Sequence, residues 1–441
     1  MYKGLAMSTK VYIKTFGCQM NFRDSEFVMG ILLDAGFRQA ASMEKADVII
    51  FNSCSVRKHA EDRLFSNIGD LASLKKRRPS LIVGLMGCTA QSYKADAFER
   101  APLLDFVCGT GNESDLPEIV GNIIKDRCRI VAADKVNEKR PELFPAHRGS
   151  ASKTFVSISE GCDNFCSYCI VPYVRGRERS RDTGDIIREV KGLAARGFKE
   201  ITLLGQNVNS YEGDKEKGFI KLLERLDSID GIERIRFMTS HPKDASEELF
   251  RAMRDLGKVC EHLHLPLQSG SDRILKLMNR KYTRTRYSKL VDDYKKILPE
   301  GAITTDIVVG FPSETDRDFT RTVDVMKAAR FDSAFTFKYS PRPPAKSARL
   351  KDNVSETVKE KRLKTIIALQ CKICEERNVP LIGRTVEVLV DGSSGREPGK
   401  LTGRTRTNKT VVFKGAGRLA GKILGIKIES VAPYALKGRI A

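Results

Sequence analysis

The stretch Gly161-Cys162-Asp163-Asn164-Phe165-Cys166-Ser167-Tyr168-Cys169 places three cysteines, four and three residues apart, directly after an apolar strand candidate. A structural zinc site normally takes four ligands, often as two separated pairs. Three thiolates in one short loop instead suit a [4Fe–4S] cluster with one iron left open for a small molecule. The strand ahead of the loop, 154–159 (TFVSIS), is the first of six. The others are 200–204 (EITLL), 233–239 (ERIRFMT), 262–267 (HLHLPL), 303–309 (ITTDIVV) and 334–339 (AFTFKY). Each precedes a helical stretch, so 153–376 reads as a partial (β/α)6 barrel, whose chemistry belongs at the strands' C-terminal ends.

A second set of thiols is spread out but ordered. Strand candidates at 10–16, 47–52, 81–86 and 104–107 alternate with helical patterns, which predicts a parallel α/β domain over 9–131. Cys18, Cys54 and Cys88 lie 36 and 34 residues apart, and each follows a strand directly (KTFGC, FNSC, LMGC). In a parallel sheet such strand ends share one crevice, so the three thiols are candidates for a second cluster, again with an open iron. Any one of them alone would read as a buried packing residue.

A polar stretch, 132–152, reads as a linker. The last segment, 377–441, consists of short β-rich runs between glycine-containing turns, the pattern of a small antiparallel β-barrel. It carries 13 Lys/Arg against 4 Asp/Glu, a net +9 within a chain total of +21. That balance predicts a polyanionic partner, most simply nucleic acid. No run of 18 apolar residues and no secretory leader is present, so the expectation is a cytoplasmic protein with no membrane partner. Disulfides are rare in that compartment, which leaves the eleven cysteines to metal binding or packing.

The cysteine loop resembles the radical S-adenosylmethionine superfamily, and the whole chain is similar to its methylthiotransferase branch. The matching stretches include TFGCQMNFRDSE (15–26), NSCSVRKHAEDR (52–63), GCTAQ (87–91) and PYVRGRERSR (172–181). LLGQNVNSY (203–211), TSHPKD (239–244), LPLQSGSDRILKLMNRKYTR (265–284) and TTDIVVGFPSET (304–315) follow. GQNVNSY and SHPKD point to the tRNA-modifying 2-methylthioadenosine synthases. Thr89 stands where that family usually has Met, Ser313 where it has Gly, and YSPRPPAKSAR (339–349) departs from its commoner loop.

The resemblance implies two [4Fe–4S] clusters, on Cys162, Cys166 and Cys169 and on Cys18, Cys54 and Cys88, with S-adenosylmethionine as cofactor. It implies that adenine C2 of an N6-isopentenylated adenosine, 3′ of a tRNA anticodon, acquires a methylthio group. One cofactor molecule would methylate a sulfur presented by the second cluster, and another would supply the radical. A basic, OB-like TRAM module, a monomer and a flavodoxin or ferredoxin electron donor complete the expectation. Cys108 follows a strand too and is the alternative fourth ligand of the second cluster, although the family pattern uses three. Cys371 and Cys374 read as packing residues.

By strand-end position, Tyr168, Gln206, Asn207, Gln268, Asp306 and Tyr339 are candidates for the cofactor pocket. Arg175, Arg177, Arg179 and Arg181 alternate through VRGRERSR and would share one face of an extended segment, suiting RNA phosphates. Arg404, Arg406 and Lys409 are the corresponding candidates in the last module. An RNA-binding iron–sulfur electron carrier is the competing reading, disfavoured because carriers normally close their clusters with four ligands.

Overall fold

A computed structural model describes residues 9–55, 58–136, 152–213, 218–395 and 397–441, so most of the expected linker lies outside the described residues. The first layer is a sheet of β1 (Lys10–Phe16), β2 (Arg38–Gln39), β3 (Val48–Ser53), β4 (Ile82–Met86), β5 (Phe106–Cys108) and β6 (Ile130–Ala132). Its order is β2-β1-β3-β4-β5-β6, parallel throughout. β3 and β4 are buried along their whole length, with apolar clusters on both faces of the sheet, as a parallel sheet between helices requires. β2 and β6 were not legible in the sequence: they are two and three residues long, with exposed or half-exposed side chains.

The second layer opens with β7 (Lys153–Ser157) and a small hairpin of β8 (Ser159–Glu160) and β9 (Arg179–Ser180). It continues with β10 (Glu200–Leu204), β11 (Arg234–Met238), β12 (His262–His264), β13 (Ala302–Val309) and β14 (Ser333–Lys338). These form two parallel sheets, β11-β10-β7 and β12-β13-β14, joined by a bridge from Ile235 to Val259. Among the described residues nothing pairs β14 with β7, so the barrel is partial, as expected. β12 is shorter than its 262–267 expectation because Pro266 has no N–H to give the ladder.

The last module is a closed barrel of β15 (Thr385–Ser393), β16 (Lys400–Thr405), β17 (Thr410–Lys414), β18 (Ile423–Ala432) and β19 (Ala435–Ile440), in order β15-β16-β17-β19-β18. One detail corrects the antiparallel expectation: β17 and β19 close the barrel as a parallel pair. Val388, Val390, Leu401, Val411, Phe413, Ile426, Ile428 and Leu436 fill its core.

This module seats on the N-terminal ends of the large barrel's strands. Arg234 Nη1 donates to the Arg404 carbonyl at 2.7 Å, and Arg236 to the Thr405 and Arg406 carbonyls at 2.7 Å each. Lys153 pairs with Asp391 at 2.7 Å. The opposite end, where the cysteine loop lies, is left to the N-terminal sheet. There the helix Gln19–Asp34 packs against β7, and Arg23 pairs with Glu189 at 3.2 Å with both side chains buried.

Candidate active site

The three thiols of the first domain converge because their strands do. Gly17 has a φ of +130°, and a Cβ built there would lie 2.5 Å from Cys54 Cβ. Gly87 has a φ of +84°, with Asn52 Oδ1 2.3 Å from where its Cβ would be. Only glycine lets the strand ends approach so closely. Cys18 caps the helix Gln19–Asp34, whose N-terminal dipole favours a thiolate. A hydrogen bond with Cys54 and the nearby Arg175 charge pull the Cys18 thiol down to about 6. Cys88 is fully buried, and burial pushes its thiol up against the pull of Arg175. Cys108 lies in the apolar cluster that includes Val11, Val48 and Leu116, with its sulfur toward the Gly109 carbonyl.

The barrel loop is folded by similar devices. Gly161 has a φ of +77°, and a Cβ there would lie 2.0 Å from the Arg177 carbonyl oxygen. Asn279 Nδ2 donates to the Phe165 carbonyl at 2.9 Å, and Ser167 Oγ to the Leu277 carbonyl at 2.8 Å. Asn164 Nδ2 donates to Cys162 Sγ and Arg280 Nη1 to Cys166 Sγ, both at 3.3 Å. Burial and the neighbouring Cys166 push the Cys169 thiol up to about 12, so only a metal would hold it as thiolate at neutral pH.

Among the described residues no group of His, Cys, Asp or Glu is placed to hold a single metal ion. A [4Fe–4S] cluster asks for something else, one thiolate for each of three irons. Two sets of three thiols, with N–H donors aimed at their sulfurs, fit that requirement. The sets are neighbours: Cys88 packs with Ile170 and Val174, on the short helix that follows Cys169.

The cofactor-pocket candidates divide. Gln206 presents a buried Oε1 without a partner. Gln268 is buried with a φ of +63°, and Asp306 lies 3.5 Å from His264 Nε2. Tyr168 packs against the cluster of Ile274, Met278, Phe311 and Tyr339. Asn207 and Tyr339 are committed elsewhere. Asn207 joins Asp244 at 2.7 Å and the His241 N–H at 3.0 Å, and the Tyr339 hydroxyl holds Ser347.

The RNA-facing candidates need correcting. Gly176, with a φ of +75°, breaks the extended segment assumed for 175–181, so the four arginines do not share a face. Arg175 is buried against Asp24 and Cys88, and Arg181 donates to Ser157 O and Glu189. Arg179 lies 3.8 Å from Glu160, and the exposed Arg177 forks onto Asp163. Arg404 Nη1 donates to the Asn408 carbonyl, Arg406 grips Glu261 at 2.7 Å, and Lys409 grips Asp332 at 2.8 Å. Arg406 and Lys409 thus seat the module on the large barrel, while the Arg404 side chain braces the module's own β16–β17 turn. The exposed bases of the module include Lys414, Arg418, Lys422 and Lys427 instead.

Arg280 escaped the sequence reading: it reaches Cys166. Arg280 lies in the MNRKYTR stretch, but its Cys166 partner is 114 residues away. His241 is buried with Nδ1 accepting from the Lys243 N–H at 3.2 Å and, among the described residues, Nε2 unpartnered.

A three-cysteine loop on a partial β/α barrel defines a radical S-adenosylmethionine protein, and residues 156–326 match the model described as the Radical SAM superfamily. Residues 10–109 match one described as Uncharacterized protein family UPF0004, and 381–441 match the TRAM domain. The solved radical S-adenosylmethionine methyltransferase TsrM from Kitasatospora setae, with cobalamin and a [4Fe-4S] cluster bound, shares the fold. Its TM-score is 0.55 at 13% identity, over 78% of this chain and 74% of that one. A tRNA-2-methylthio-N(6)-dimethylallyladenosine synthase from Thermoanaerobacter sp. (strain X514) is 48% identical over 97% of this chain and 92% of its own length. Another, from Carboxydothermus hydrogenoformans, is 46% identical over 97% of this chain and 98% of its own. The chain belongs to the tRNA-2-methylthio-N(6)-dimethylallyladenosine synthase family.

Proposed function

We propose that this protein replaces the C2 hydrogen of N6-(dimethylallyl)adenosine, 3′ of a tRNA anticodon, with a methylthio group. The observation that carries this reading is the adjacency of two three-thiol sites, joined through Cys88, Ile170 and Val174. An aromatic C–H has no useful acidity at neutral pH, and general acid–base catalysis gives only about 10²–10⁴-fold, so a radical route is required. When bound, the cluster at Cys162, Cys166 and Cys169 with S-adenosylmethionine supplies that radical, and the cluster at Cys18, Cys54 and Cys88 presents the sulfur.

This chain's residues position and shield that chemistry. Arg280 and Asn164 donate to the Cys166 and Cys162 sulfurs. Gln206 and Gln268 follow the C-terminal ends of β10 and β12, and Asp306 lies within β13, where they can orient a cofactor. Tyr168 walls the same region. The unpaired side of the barrel, between β14 and β7, admits an RNA loop whose target base leaves its stack. Lys414, Arg418 and Lys427 hold the tRNA backbone. The enzyme acts as a monomer in the cytoplasm, reduced by a flavodoxin or ferredoxin.

Nucleoside mass analysis of tRNA from cells lacking the protein tests this reading. Loss of 2-methylthio-N6-(dimethylallyl)adenosine, with its unthiolated precursor accumulating, is the expected result. Unchanged methylthiolated nucleoside refutes it. Anaerobically reconstituted protein should carry about eight irons per chain; about four refutes the two-cluster reading.

A further inference from the structure

Arg175 lies between the two thiol sites. It belongs to the barrel loop, six residues after Cys169, yet its partners are in the other domain. Nε donates to Cys88 Sγ at 3.3 Å, and Nη2 pairs with Asp24 on the helix that Cys18 caps. The Arg175 side chain is 4% exposed and that of Asp24 is fully buried. Its charge also reaches Cys18. The third nitrogen, Nη1, is buried without a partner. A buried cationic donor is costly unless something accepts from it, and the described residues provide no acceptor.

We infer that Arg175 is a positioning residue of the sulfur-presenting site: its guanidinium holds the Cys88 thiolate and, through the free Nη1–H, an anionic sulfur ligand at the open position. The inference rests on the two-cluster reading above. Three thiolates and an anionic ligand bring several negative charges into a space shielded from water. One fixed guanidinium offsets part of that charge, and a single carboxylate, Asp24, fixes the guanidinium. Lysine could not reproduce this, since its point charge lacks the planar fork that grips Cys88 and Asp24 together. Hydrogen bonds and positive charge at cluster sulfurs also raise a cluster's reduction potential.

The test uses the full chain with Cys162, Cys166 and Cys169 replaced by Ala, so that only the second cluster is loaded. Its reduction potential is followed by electron paramagnetic resonance, and methanethiolate is the ligand probe. Arg175→Met with Asp24→Leu removes both buried charges together and avoids an unpaired one. With about four irons per chain retained, the double variant should show a lower potential and at least tenfold weaker methanethiolate binding. Asp24→Asn, which keeps the guanidinium, should move the potential the other way. An iron-loaded double variant with unchanged potential and unchanged methanethiolate affinity overturns the inference. Shifts of the same sign in both variants also overturn it, because they report general disturbance of the fold. Failure of the Ala background itself to bind iron, before Arg175 is touched, refutes the two-cluster reading and the inference with it.

Discussion

At the scale of single residues, buried polar atoms carry the sharpest consequences. Thr89 stands next to Cys88, fully buried, with a hydroxyl that has no partner. The family's usual Met would bring no hydroxyl there. Thr89→Val keeps the shape and removes the unsatisfied group, and should stabilise the N-terminal domain by about 1 kcal/mol in denaturant titration. His241 and His262 act through pH. Burial first, then neighbouring positive charge, lowers His241 to about 2 and His262 to about 3. The unfolded chain binds a proton at each near pH 6.5 that the folded chain refuses. Stability therefore falls as pH drops below that value, by roughly 1.4 kcal/mol per unit for each histidine. His262→Gln should flatten the fall in thermal midpoint between pH 7 and pH 5. An equally steep fall in the variant would show that His262 does not contribute to it.

Secondary-structure elements were largely legible where they are long and buried. β1, β3, β4 and the six barrel strands announced themselves as apolar runs followed by helical periodicity. The convergence of Cys18, Cys54 and Cys88 followed from one rule, that parallel strands end in a common crevice. Short elements with few buried side chains stayed invisible: β2 and β6 bury none fully, and β19 buries only Leu436. The side-chain assignments failed for a different reason. Arg175 meets Asp24 from 151 residues away and Lys409 meets Asp332 from 77, and no local pattern encodes such partners. Arg175, Arg406 and Lys409, read as phosphate ligands, fasten one domain to another. Ser313 shows the reverse case. Its φ of +67° explains why Gly is usual there, so Ser313→Gly should relieve left-handed strain and gain about 0.5–1 kcal/mol in thermal unfolding of the barrel.

Across the whole molecule, the basic module and the two thiol sites lie at opposite ends of the barrel strands. The longest strand, β13, has eight residues, so the separation is roughly 25 Å at about 3.3 Å per residue. An RNA stem can bridge that distance along the barrel's side while its loop reaches the clusters. Replacing Lys414, Arg418 and Lys427 with Ala should weaken tRNA binding and reduce the salt slope by about 0.7–0.9 per lost phosphate contact. Arg406→Ala should instead loosen the module, because Arg406 faces Glu261. The net charge of +21 thus includes bases that fasten domains together as well as bases that face outward.

The central claim is a division of labour between two thiol sites. It is tested most directly with the full chain carrying Cys18→Ala, Cys54→Ala and Cys88→Ala, incubated with reductant, S-adenosylmethionine and N6-(dimethylallyl)adenosine-bearing tRNA. The account predicts about four irons per chain, 5′-deoxyadenosine among the products and no methylthiolated nucleoside. Methylthiolated nucleoside from that variant would contradict it.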